Sequence, residues 1–235
     1  LGKRVTADDL AAGGYDEIVL ATGVTPRDPR IEGDDEQRRE GRLLSYMDVL
    51  LARRQVGRRV AIVGAGGIGF DVAAFLVAGK HSTATDLPAW MAEWGVGDPA
   101  ATRGGLQPQQ VSPPAREVHL LQRKATPLGK GLGKTTGWIH RAALRMKRVE
   151  MMGGVNYESI DERGLRVSFG QARTHPTLLE VDNVVLCAGQ EPLCDLYQPL
   201  QNAGVAVHKI GGADVAAELD AKRAIDQGSR LAAQL

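Results

Sequence analysis

The chain has 235 residues, 43% of them apolar, and its charges nearly cancel, with 29 Lys and Arg against 28 Asp and Glu. That length holds one or two domains, and the balance argues against a nucleic-acid-binding surface, which needs a clustered basic excess. No apolar run approaches the ~18 residues of a membrane span, and no leader peptide is legible. Cys187 and Cys194 are too few for a disulfide scaffold and lack metal-ligand spacing.

In chain order, the first residues read KRVTADDL, as if inside a domain, so a fragment or processed chain in a soluble, reducing, cytoplasmic setting is expected. Tyr15–Ala21 reads as a buried strand that stops at Thr22-Gly23. The charged, Pro- and Gly-bearing stretch 25–41 reads as a loop, and 43–51 as a helix with Ser45 near its start. Arg59–Val63 is a short β-branched run ending in Gly, the clearest strand in the chain. Gly67–Val77 has helical apolar spacing at Ile68, Val72, Phe75 and Leu76. Residues 80–116 are too long for an ordinary loop and read as an insertion with a short helix near Pro88–Trp94. Then come a strand at Glu117–Gln122, a helix over 135–148, and a run of short strands from 149 to 186. The run turns at Gly153-Gly154, 161–164 and Gly170 and ends in VDNVVL. An amphipathic helix over 214–235 closes the chain, with Asp214 as its local N-cap. Two strands end alike, LATG at 20–23 and LCAG at 186–189.

The chemistry concentrates at Gly64-Ala65-Gly66-Gly67-Ile68-Gly69. A GxGxxG run carries weight only between a strand and a helix, and this one has both. Gly64 permits the tight turn, Gly66 admits a pyrophosphate to the backbone, and Gly69 lets the helix pack close on the strand. The helix N-terminus then offers free N–H groups and a positive dipole end to phosphates.

A dinucleotide fold usually follows its next strand with a carboxylate for the ribose 2′-OH of NAD. Here the strand runs into Gln122-Arg123-Lys124. Two cations without a carboxylate suit a 2′-phosphate, and so NADP(H). A solvated charge pair is the other reading. Gly69 and Arg123 are 54 positions apart, against a usual ~20, and the insertion accounts for the excess. Gly131-Leu132-Gly133-Lys134-Thr135 imitates a phosphate loop, but the Gly required at position 128 is Leu, so an ATPase is excluded. That basic loop either flanks cofactor phosphates or is a solvated connection. His119, inside a strand, reads as a packed histidine, and the missing G-x-S-x-G elbow disfavours a hydrolase.

Four segments together, ATGVTP (21–26), VAIVGAGGIG (60–69), VVLCAGQEP (184–192) and IGGADVAAELDAKRAIDQG (210–228), resemble flavoprotein oxidoreductases with two dinucleotide-binding domains. With YDEIVLATGVTPR, LSYMDVL and LLQRKATPLGKGLGKTTGWIHR, the chain resembles the C-terminal region of bacterial NADPH-dependent 2,4-dienoyl-CoA reductases. Enoate reductases and trimethylamine dehydrogenases share that architecture. The resemblance implies an α/β fold. A Rossmann-like NAD(P)-binding domain (43–190) is inserted in an incomplete FAD-binding domain of the same type (1–42 and 191–235). It implies that NADPH passes hydride to FAD here. A 4Fe-4S cluster and FMN, with the acyl-CoA substrate, belong to an N-terminal barrel outside this sequence. It assigns Gly64, Ala65, Gly66, Gly67, Ile68 and Gly69 to the pyrophosphate and Arg123 and Lys124 to the 2′-phosphate. Asp71, Ala188, Gly189 and Gln190 fall to the nicotinamide side. For FAD it assigns Val5 near the adenine, Ala21, Thr22 and Gly23 along the diphosphate, and Gly212, Ala213 and Asp214. No residue of this chain is assigned as a catalytic acid or metal ligand.

Overall fold

The computed structural model describes residues 2–79, 82–217 and 220–235. It divides into two compact units. One comprises Leu1–Arg27 with Gly189–Leu235, and the other is Asp28–Ala188.

The larger unit is built on a five-stranded parallel sheet in the order Leu43–Ser45, Asn183–Leu186, Arg59–Val63, Glu117–Gln122, Glu150–Gly153. Side chains alternate across a strand, and here each face has its own cover. Val60, Ile62, Val118 and Leu120 point to one side, where they meet Phe70, Val72, Leu76 and Leu144 from the helices Gly67–Val77 and Gly137–Met146. Ala61, Val63, Leu121, Val184 and Leu186 point to the other. There they meet Val155, Ile160, Leu165, Val167 and Leu179 from an antiparallel sheet of Val155–Asp161, Gly164–Phe169 and Thr174–Glu180. Burial on both faces explains why these strands read as continuous β-branched runs rather than alternating ones. Each fully buried Ile or Leu adds roughly 1.5–3 kcal/mol to the core.

Several sequence expectations shift. The stretch 43–51 is a strand, Leu43–Ser45, followed by a helix, Tyr46–Leu50. Ser45 ends one and caps the other: its Oγ accepts from the Asp48 N–H at 3.2 Å, while Asp48 Oδ2 accepts from the Ser45 N–H at 2.8 Å. The supposed loop 25–41 takes in the end of a strand, Val24–Pro26, and a whole helix, Asp34–Arg39. In the helix Gly67–Val77 the buried face carries Phe70 and Ala73, while Phe75 is exposed. The compact units also divide at 27/28 and 188/189 rather than at the 42/43 and 190/191 drawn from sequence. Residues 28–42 join the larger unit because Ile31 enters its second core, the Ile160 N–H donates to Glu32 O at 2.8 Å and the Val184 N–H to Arg42 O at 2.9 Å.

The 80–116 insertion, whose first two residues lie outside the described ones, contains the expected helix at Leu87–Trp94, capped by Asp86 and ended by left-handed Gly95. A buried ion pair fastens it: Lys147 Nζ lies 2.5 Å from Glu93 Oε1 and 2.9 Å from Ser112 Oγ, and Thr83 Oγ1 donates to Glu93 at 3.1 Å.

The smaller unit pairs Ile18–Leu20 in parallel with Val207–Lys209, and Val24–Pro26 antiparallel with Gln190–Pro192. Its core is small, with Ile18, Leu20 and Leu200 buried. The last helix runs from Ala221 to Ala232. Its N-cap is Asp220, which accepts from the Arg223 N–H at 2.7 Å, so Asp214 does not cap it; Glu218 and Leu219 lie outside the described residues.

Candidate functional site

The turn after Arg59–Val63 is set by four glycines that do different work. Gly64 has φ +113°, and a Cβ there would sit 2.2 Å from Cys187 O. Its N–H donates to Leu121 O at 2.9 Å, which fixes the strand end against the neighbouring strand. Gly69 lies on the first turn of the helix, where a Cβ would stand 1.9 Å from Gly64 O. Helix and strand therefore approach as closely as backbone allows. Gly66 and Gly67 are the opposite case. A Cβ on either would meet nothing within 4 Å, so their backbone faces open space. Gly66 is the extended N-cap of an eleven-residue helix and has no side chain to satisfy the first N–H groups. Such a terminus has donors and a positive dipole end for an anion. Ala65 is buried, Ile68 packs on the core and Asp71 is exposed.

Arg123 and Lys124 emerge exposed from the adjacent strand at the same end of the sheet, two and three positions past Leu121, which faces Val63. Gln122 folds this exit back on itself, donating from Nε2 to the carbonyls of Lys124 and Thr126, both at 2.8 Å. Arg123 stands near the phenol of Tyr157. Burial pushes that phenol up to about 12, against which the arginine charge acts only in part. His119 is held within its strand, its Nδ1 3.0 Å from Glu150 Oε2. Ala188 packs beside the second core.

In the smaller unit, Gly189 is left-handed at φ +105° and its carbonyl accepts from the Arg27 N–H at 3.0 Å. Gln190 pairs with Pro26. Thr22 Oγ1 donates to Leu193 O, and the Leu193 N–H donates to Gly23 O at 3.0 Å. Gly212 approaches that segment so closely that a Cβ would lie 2.8 Å from Val24 Cγ1 and 3.0 Å from the Gly23 carbonyl carbon. Ala21 is exposed, Val5 half-buried and Ala213 fully buried. Asp214 follows the short turn Gly211–Ala213, and its Oδ2 accepts from Gln227 Nε2 at 3.0 Å. The same Gln227 accepts the Gly211 N–H at 2.7 Å. Sequence reasoning did not find Gln227, because a glutamine on an amphipathic helix gives no local signal. The structure thus collects the first glycine set and Arg123/Lys124 in one unit, and Val5, Ala21–Gly23, Gly189, Gln190 and Gly212–Asp214 in the other.

Both cysteines are free, and burial pushes the Cys187 thiol up to about 12. It is therefore no nucleophile near neutrality. Among the described residues no cluster of His, Cys, Asp and Glu is placed to hold a metal ion, and no helix is long and apolar enough to cross a membrane.

A family model for pyridine nucleotide-disulphide oxidoreductases matches residues 2–224. The chain is 25% identical over 201 residues to a metal reductase of Desulforamulus reducens, covering 86% of this chain and 28% of that protein. It is 35% identical over 88 residues to a cinnamate reductase of Clostridium sporogenes, covering 37% and 12%. The fold superposes on a structure of 2-naphthoyl-CoA reductase with a TM-score of 0.71 at 20% identity, covering all of this chain and 29% of the other. The chain thus spans less than a third of each of these proteins.

Proposed function

The chain belongs to the pyridine nucleotide-disulphide oxidoreductase family, and on that premise we propose that it is the NADPH-to-FAD input segment of a 2,4-dienoyl-CoA reductase. The observation that carries the nucleotide half is the turn itself: two glycines leave no room for a Cβ while the two between them face open space. That is the shape a pyrophosphate needs if it is to reach backbone N–H groups. NADPH supplies a hydride when bound, and FAD is its acceptor. The chain's part is binding and orientation. Gly66, Gly67 and the helix start hold the pyrophosphate, with Ala65, Ile68 and Gly69 shaping the turn. Arg123 and Lys124 take the 2′-phosphate, where a carboxylate would instead favour NAD. Asp71, Ala188, Gly189 and Gln190 serve the nicotinamide side.

For FAD, Gly212 packs closely against Gly23 and Val24, while a Cβ on Gly23 would meet nothing within 4 Å, so the Gly23 backbone is open to a diphosphate, with Ala21 and Thr22 beside it and Ala213 and Asp214 following. Val5 lies toward the adenine. The only GxGxxG in the sequence is the one in the larger unit, so the chain provides part of a flavin site. FMN, a 4Fe-4S cluster and the acyl-CoA itself belong, in this reading, to an N-terminal portion of the parent enzyme. An enoate-reductase-type parent is the alternative, favoured by the cinnamate reductase match. A non-catalytic NADP(H)-binding chain is the remaining reading, and a colourless purified protein would favour it over a flavin-yellow one.

Calorimetric titration with NADPH and then NADH tests the nucleotide assignment. NADPH binds more tightly, and Arg123→Ala weakens NADPH by ~1–3 kcal/mol, as expected for a charged hydrogen bond, while leaving NADH nearly unchanged. Equal losses for the two would overturn the 2′-phosphate role.

A further inference from the structure

The Gly-rich loop that imitates a phosphate loop lines a pocket that includes no residue of the dinucleotide turn. Residues 127–134 and the helix Gly137–Met146 enclose a pocket of about 530 Å³. Lys130, Lys134, Arg141 and Arg145 line it together with Gly129, Gly133, Gly137 and Met151, and no carboxylate is among its lining residues. Gly137, Arg141 and Arg145 recur at every fourth position, so one helix stripe faces the loop. Glycine is required on both walls. Gly129 has φ +70° and its missing Cβ would lie 2.8 Å from the Phe70 ring, while one on Gly137 would lie 2.9 Å from Leu132 Cβ. The loop is thus pressed against both helices. Arg141 Nη1 donates to Gly129 O at 3.1 Å, tying helix to loop and leaving its other donors for a ligand.

Four cations around one pocket repel one another. Among the described residues no carboxylate lies within ion-pair distance of any of them. A second arginine-rich groove, lined by Arg53, Arg54 and Arg116, is different. There Arg116 is spent on the carbonyls of Val56, Gly57 and Leu76, and Arg53 lies over the Phe75 ring. In the loop pocket, by contrast, four cations lie together without a carboxylate among the lining residues. We infer that it binds the phosphomonoester of a small phosphorylated molecule, at a site separate from the pyrophosphate turn. A phosphate dianion offers three acceptor oxygens to Lys points and Arg forks, and the volume falls in the usual range of small-molecule pockets.

The test is calorimetry on the full chain in low-salt, phosphate-free buffer, with inorganic phosphate and adenosine 5′-monophosphate as probes. Saturable binding is expected, weaker as salt is raised. Lys134→Gln with Arg145→Gln, both exposed positions, should weaken it by about tenfold or more and leave NADPH affinity unchanged. Phosphate should still bind when NADPH is saturating. A chain that binds phosphate but not NADPH supports this site while removing the NADPH reading. Displacement of phosphate by NADPH would overturn the separate site and make the pocket part of the dinucleotide site. Absence of saturable binding, or binding indifferent to the double substitution and to Lys130→Gln, would overturn it outright.

Discussion

The two units of the chain use similar sequence signals to very different structural effect. LATG at 20–23 and LCAG at 186–189 both end a short apolar strand in a glycine turn. In the larger unit that strand sits inside a five-stranded sheet covered on both faces, with Val185 fully buried. In the smaller, the strand Ile18–Leu20 has one partner, and Val19 is 41% exposed. The terminal helix Ala221–Ala232 buries none of its residues. Local sequence sets the turn, but the number of covering layers sets its stability.

This contrast can be broken most decisively at Gly69. Gly69→Val drives a side chain into the Gly64 carbonyl, and neither backbone can move without opening the sheet. The expected loss is about 4 kcal/mol or more in a denaturant titration. Gly66→Ala, facing open space, should leave the midpoint where it is. Lys147→Met comes next. It leaves Glu93 buried without its cation, at about 3 kcal/mol by the same titration, and should expose the insertion to protease.

Tyr157 gives a smaller effect, dependent on pH. Its phenol ionises near 12 in the folded chain and near 10 when unfolded. Stability is therefore intact below pH 10 and is lost as pH rises from 10 through 12, by about 2 kcal/mol from this group. Tyr157→Phe should remove that part of the alkaline decline, and an unchanged slope would deny the burial its role. The smallest effect compares the units directly. Amides of Ile18–Leu20 should exchange with solvent at least about tenfold faster than those of Arg59–Val63. Equal protection would mean that the smaller core is sufficient.

What was legible in the sequence follows the same division. Arg59–Val63, Glu117–Gln122 and Gly67–Val77 were read with the bounds they have, because burial on both faces or on one helical stripe forces long apolar patterns. Leu43–Ser45 was missed since three residues are too few to show a period, and the capping residue that follows invites a helix from its start. The helix Asp34–Arg39 contains no apolar residue at all, so periodicity could not reveal it. Val24–Pro26 was hidden by its proline, tolerated because the ribbon has only two strands. At the candidate site the glycines were readable from their spacing. Arg141 and Arg145 were not, because two arginines four apart on a helix look like any solvated face until the loop opposite them is known.

The order of strands in the larger sheet bears on how the chain is made. Asn183–Leu186 lies between Leu43–Ser45 and Arg59–Val63, bridging stretches some 120 to 140 positions earlier in the chain. A nascent chain emerges from its N-terminus, so the flanking strands are synthesised long before the one that joins them. Until then Arg59–Val63 exposes an unpaired apolar edge, the kind of surface on which chains associate. Closure of the sheet waits on one four-residue segment made more than a hundred residues after the strands it joins, which makes the interval before its arrival the period of greatest exposure to aggregation and to chaperones.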